Sequence, residues 1–167
     1  LLAGWSAARK TVAATLSCEA ADIDLKVIRC SHYTHRSKYR LPVHPSPNLK
    51  NMAAVYAYPS LCLFEGTVVS VGRGTDAPFT QFGCPGFKGK FTFSFTPGSR
   101  EGASHPPYEN EVCYGEMLGT TDQEVLTKIN HSFRLSWLLS AYKAYPDKEK
   151  FFTSFFTKLA GTATLRN

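Results

Sequence analysis

The 167 residues, 43% hydrophobic and 13% aromatic, carry enough apolar surface to bury a real core, which excludes a disordered chain and predicts one globular domain, or one and a piece of another. A formal charge of +6 would suit an anionic partner, yet the basic residues are scattered, and the tightest group, Arg36, Lys38 and Arg40, sits in a Tyr-containing run that reads as a solvated loop rather than a binding patch. Five cysteines without a C-x-x-C pair exclude a disulfide framework, and no run approaches the roughly 20 apolar residues of a membrane-spanning helix, so no transmembrane segment is expected in this chain.

Residues 1 to 21, Ala-rich with Trp5 and Leu16, are compatible with a helix whose apolar stripe is poorly defined. Ile23 to Ile28 alternates apolar with charged residues and then turns fully apolar, which predicts a strand. From Ser31 to Asn48 the chain is rich in His, Tyr and Pro. Pro42, Pro45 and Pro47 remove backbone donors and favour extended geometry, so an ordered loop of the kind that carries binding residues is expected. Asn48 is expected to cap a short helix through Met52 to Tyr56, which Pro59 ends. Leu61 to Phe64 is a fully apolar run followed by a Gly-rich polar stretch to Thr75, a buried element delivering a loop to a site.

Phe91-Thr92-Phe93-Ser94-Phe95 alternates strictly, with aromatics on one face, and is the clearest strand of the sequence; Pro97-Gly98 closes it. A second strand is predicted over Glu111 to Gly115. Thr121-Asp122 can cap a helix from about Gln123, with Phe133, Trp137, Leu138 and Ala141 at helical spacing until Pro146. Asp147 starts another, with Phe151, Phe152, Phe155, Phe156 and Leu159 on one apolar face and Gly161 as its stop.

Few side chains in this pattern carry chemistry. Glu65 follows an apolar run and precedes a glycine, so it is expected at the mouth of a cleft, where desolvation favours a general acid; the alternative is a carboxylate satisfied by backbone donors or by Arg73. Ser70-x-Gly72-Arg73-Gly74-Thr75 sets a guanidinium between two glycines, so the backbone can approach a ligand closely while Arg73 forks onto a carboxylate or phosphate. The loop lacks the Lys of a phosphate loop and the spacing of a dinucleotide fingerprint, which rejects ATP and NAD. Asp76 is read as fixing Arg73 or the turn. Cys62 reads as a small buried hydrophobe. His32, His35 and His44 lack an acidic or thiol partner at ligand spacing, so no metal site is expected, and Ser70 is not in a nucleophile elbow.

Read together, Ser31-His32-Tyr33-Thr34-His35, Pro45-Ser46-Pro47-Asn48-Leu49, Tyr58 through Leu63-Phe64-Glu65-Gly66-Thr67, Gly72-Arg73-Gly74-Thr75-Asp76, and Pro78-Phe79 through Phe82-Gly83 to Pro85 resemble the exo-beta-N-acetylmuramidases, in the form found in Bacteroides-type bacteria. The resemblance runs from about Ile23 to the C-terminus and includes Cys113-Tyr114-Gly115 and the Phe-rich segment leading to Leu159-Ala160-Gly161; residues 1 to 21 match poorly. It implies an α/β protein whose C-terminal part is α+β: residues 1–60 would be the end of a Rossmann-like N-terminal domain with its connecting loop, and residues 61–167 a smaller mixed domain with a short sheet and C-terminal helices, lacking its final helical segment.

The resemblance further implies a glycoside hydrolase that removes terminal N-acetylmuramic acid from peptidoglycan fragments in the periplasm or outside the cell, without a cofactor. Glu65, Thr67, Ser70, Arg73 and Thr75 would line its cleft, with Glu65 as the catalytic candidate; Asn48 and His35 join Arg73 and the hydroxyls as substrate-binding residues. Position 71 is Val where many members carry Glu, so a carboxylate there is not essential. The principal catalytic glutamates would lie upstream of Leu1, on the missing N-terminal domain, and the fragment alone would be inactive. The rival reading is a non-catalytic module that binds acidic cell-wall glycans. Nucleic-acid binding rests on net charge alone and is the weakest.

Overall fold

The computed structural model describes residues 26, 28–34, 36–37 and 39–165. The helix expected over residues 1–21, most of the strand expected over Ile23–Ile28, and His35 lie outside the described residues. By compactness the chain divides between Tyr39 and Arg40. The described part of the first unit has no helix or strand; its turn is closed by Ser37 N–H donating to the Thr34 carbonyl at 2.9 Å. Every element below belongs to the second unit.

Helix α1, Met52–Leu61, is capped by Asn51, whose side chain accepts from Ala54 N–H at 2.8 Å. Asn48 is not the cap. Pro59 sits inside α1 rather than ending it: a proline here costs one backbone bond, while burial of Ala53, Ala54, Ala57 and Leu61 holds the helix on the core. The apolar run that follows tightens into a 3-10 helix, Cys62–Gly66, burying Leu63 and Phe64.

The sheet has three antiparallel strands in the order β1-β3-β2: β1 is Gln81–Cys84, β2 is Phe93–Phe95 and β3 is Cys113–Met117. The register pairs Gln81 with Met117 and Cys84 with Tyr114 on one side, and Phe93 with Gly115 on the other. Strand β1 was not expected, because all four of its residues are buried and its Gln and Gly are poor strand formers, so neither alternation nor propensity marks it. The clearest sequence strand is real but short. Its Phe residues are half-buried and Thr92 and Ser94 exposed, as the alternation predicts, yet only three residues reach β3. The strand expected over Glu111–Gly115 is shifted to Cys113–Met117.

The single helix expected from Gln123 onward is two, α2 (Asp122–Ile129) and α3 (Leu135–Ala144). Asn130 and His131 adopt left-handed backbone, with φ of 46° and 52°, which Asn tolerates and a helix does not. The break is stabilised by Ser132 Oγ donating to the Ile129 carbonyl at 2.9 Å and Arg134 N–H donating to Ser60 Oγ at 3.0 Å. At the other end of α2, Thr121 and Glu124 form a reciprocal capping box. Replacing Thr121 with Ala is expected to cost about 1 kcal/mol, read as a lowered midpoint in chemical denaturation.

The Phe-rich segment is likewise divided. Asp147 caps a single turn, α4 (Lys148–Phe151); Phe152 is extended and bridges to Thr67; α5 (Phe155–Ala160) then runs to Gly161, whose φ of 68° ends it. The core gathers Phe64, Phe82, Phe87, Phe151 and Phe156, all fully buried, with Phe64 stacked on Phe82 at 4.8 Å between ring centres. Phe155 is instead half exposed, so it does not share the buried face. Among the described residues no helix is long and apolar enough to cross a membrane.

Candidate functional site

A cleft of about 700 Å³ opens between the segment Glu65–Arg73 and the loop Arg100–Tyr108. The first wall is held from two sides. Val68 N–H donates to the Phe151 carbonyl at 3.0 Å and Thr153 N–H to the Gly66 carbonyl at 2.9 Å, while Ser70 and Gly83 exchange both backbone bonds at 2.9 Å. The wall is thus an irregular strand, pinned between the α4–α5 junction and β1. Tyr108 ties the second wall to it, its hydroxyl donating to the Val68 carbonyl at 2.6 Å; burial pushes that hydroxyl's pKa up.

Glu65, on the 3-10 helix, accepts a charge-assisted hydrogen bond from Arg73 Nη2. The pair is partly buried, with side-chain exposures of 37% for Arg73 and 21% for Glu65. The guanidinium also lies over the Phe79 ring, 5.4 Å from its centre, in cation–π geometry. Phe79 takes a left-handed φ of 60°, held by its N–H donating to the Val71 carbonyl at 2.8 Å and by Tyr58 packed against the ring at 5.1 Å. Arg73 is therefore fixed, with one nitrogen committed to Glu65. Asp76 does not fix it; Asp76 pairs with Arg100.

The two glycines beside Arg73 do something other than admit a ligand. Gly72 and Gly74 have φ of 77° and 80°. A Cβ at Gly72 would lie 2.7 Å from Gln81 Cγ, and one at Gly74 only 2.5 Å from Pro106 Cγ and 2.6 Å from the Gly98 carbonyl oxygen. They serve left-handed backbone and close packing against the protein's own chain.

Residues 56–167 match the family profile described as exo-beta-N-acetylmuramidase NamZ, C-terminal. The chain belongs to this family. Peptidoglycan beta-N-acetylmuramidase NamZ of Bacillus subtilis (strain 168) is 32% identical, the match covering 87% of this chain and 38% of that protein. The crystal structure of a DUF1343 family protein from Bacteroides fragilis NCTC 9343 is similar with a TM-score of 0.75 at 46% identity, over 86% of this chain and 40% of that one. The chain spans about two fifths of the length of these relatives. Its mixed helices and small antiparallel sheet are the α+β architecture expected for the C-terminal part of the NamZ fold.

Within this NamZ C-terminal region the sequence-predicted residues separate. Glu65, Thr67, Ser70 and Arg73 line the cleft, but the two hydroxyls are engaged in shaping its wall. Thr67 Oγ1 donates to the Phe64 carbonyl at 2.7 Å and accepts from Val69 N–H at 3.1 Å, and Ser70 Oγ accepts from Gly72 N–H at 3.2 Å. Thr75 is not on the cleft wall: its hydroxyl donates to the Gly72 carbonyl at 2.7 Å and accepts from Gln81 Nε2 at 2.8 Å. Asn48 is buried behind the second wall, donating through Nδ2 to the Gly102 carbonyl at 2.9 Å. Val71 is buried in the first wall.

The second wall, with Arg100, Glu101 and His105, was not legible in the sequence, where it is a Gly/Pro-containing loop without a motif. Chemistry elsewhere is quiet. Burial pushes the Cys84 thiol up to about 11 and Cys113 up to about 12, so both are protonated at neutral pH and poor nucleophiles. Cys62 is half-buried, its thiol donating to the Pro59 carbonyl at 3.4 Å, and desolvation raises its pKa too. Among the described residues no three His, Cys, Asp or Glu side chains gather as a metal site.

Proposed function

We propose that this chain is part of a peptidoglycan-processing glycoside hydrolase that releases terminal N-acetylmuramic acid from cell-wall fragments. The observation that carries the reading is the Glu65–Arg73 pair fixed on the wall of the cleft, in a chain of the NamZ family. A terminal muramic acid bears a lactyl carboxylate, and the nitrogens of Arg73 not bonded to Glu65 can hold it. With Oε2 occupied by Arg73, Glu65 reaches substrate through Oε1, which suits a carboxylate that orients the sugar or a water. Glycoside cleavage ordinarily uses a pair of carboxylates. The principal pair would come from a Rossmann-like N-terminal domain that faces this cleft, and the chain by itself would be inactive. Because the substrate is cell-wall material, the working protein would be periplasmic or exported.

The test is incubation of the intact protein with two disaccharides that differ only in whether the terminal non-reducing sugar carries the lactyl group. Mass spectrometry should detect free N-acetylmuramic acid from one and no cleavage of the other. Equal cleavage of both, or of neither, would overturn the reading. Arg73→Ala is expected to raise KM for the acidic disaccharide by about tenfold or more, the loss of one charge-assisted hydrogen bond.

A further inference from the structure

We propose that Arg100 is the second carboxylate-binding residue of this cleft and sets its preference for an acidic sugar; the inference rests on the functional reading above for the identity of that sugar. Arg100 lies on the wall opposite Arg73 and lines the same cavity. Its position is built rather than incidental. Arg100 and Ala103 exchange backbone hydrogen bonds at 3.1 and 3.0 Å, closing a tight turn through Glu101 and Gly102. Gly102 takes a φ of 78°, and the buried Asn48 holds its carbonyl at 2.9 Å. The base of the loop is tied to the Arg73 loop by Gly98 N–H donating to the Gly74 carbonyl at 2.8 Å. Two guanidiniums are thereby presented from two connected walls, which is the preorganisation that carboxylate recognition rewards.

The two differ in how firmly they are engaged. Arg73 is fixed by a partly buried Glu65 and by the face of Phe79. Arg100 is bonded through Nη1 to Asp76, whose side chain is 93% exposed. Such a pair is screened and weak, so a ligand carboxylate can take the place of Asp76 or share the fork with it, and among the described residues the other nitrogens of Arg100 have no partner. Glu101, next in sequence, lines the cleft as well. With Glu65 and Glu101 in the lining beside the two arginines, the cleft carries no excess positive charge and disfavours a polyanion such as nucleic acid. Asp76, outside the cavity lining, acts as a surrogate for the ligand's carboxylate.

The experiment measures binding of N-acetylmuramic acid, its neutral lactyl amide and glucuronic acid to the intact protein by calorimetry, for wild type, Arg100→Ala and Asp76→Asn. The wild type should favour the acid over the amide by about tenfold. Arg100→Ala should cut that preference to less than about threefold, Arg73 retaining the remainder. Asp76→Asn should keep the preference and tighten the acid, a gain that misfolding would not produce. If the wild type prefers the acid and Arg100→Ala keeps the full preference, the Arg100 assignment is wrong and the functional reading stands. If only glucuronic acid binds, and binds through Arg100, the assignment stands and the muramic reading fails. If no carboxylate sugar binds, both fail.

Discussion

Replacing Glu65 with Gln in the intact protein is expected to lower the rate of terminal sugar release by about 100-fold, with KM changed by less than about threefold. Gln keeps the volume and can still accept a hydrogen bond from Arg73, so the wall should survive; what is lost is the negative charge that Glu65 would present to the sugar in the proposed reaction. Steady-state kinetics separate the outcomes, since an effect confined to kcat marks an interaction made in the transition state and one confined to KM marks uniform binding. A rate unchanged from wild type would remove Glu65 from the mechanism and leave it as the anchor of Arg73.

The largest effect on stability is expected at Phe151. It is fully buried, its ring lies 4.9 Å from Phe152 and 5.3 Å from Tyr142, and its carbonyl accepts the backbone bond from Val68 in the cleft wall. Phe151→Ala should cost about 3–5 kcal/mol through lost burial and the cavity left behind, measured by urea denaturation. Phe155→Ala, at a residue 48% exposed, should cost less than about 1 kcal/mol. Equal losses at the two positions would contradict the division of the Phe-rich segment into α4 and α5. Because Phe151 also supports Val68, its loss should loosen the cleft as well as the core.

Legibility in the sequence followed the range of the interactions. Thr121, Asp147 and Gly161 act within a turn of their own helices, and all three terminate them as local rules predict. The half-buried Phe face of β2 follows from strand geometry alone. The helix breaks at Asn130 and Phe152 were not legible: one depends on a bond from Arg134 to Ser60, far away in the chain, and the other on a bridge to Thr67. Asn48 shows the same limit. Its type and place in a Pro-rich loop suggested a cap or a ligand contact, and only the folded chain brings Gly102 to its side chain.

By itself the sequence determined the family, through motifs spread from the His-rich loop to the Phe-rich end, together with the α+β character of this region. Tertiary structure alone decided what the segment carrying Glu65 and Arg73 faces. The partner of Asp76, the packing that Gly72 and Gly74 permit, and the second wall with Arg100 all depend on contacts between stretches distant in sequence. Local propensity carries no record of such contacts, because each arises only when β1, the α4–α5 junction and the Arg100–Tyr108 loop are packed around a common core.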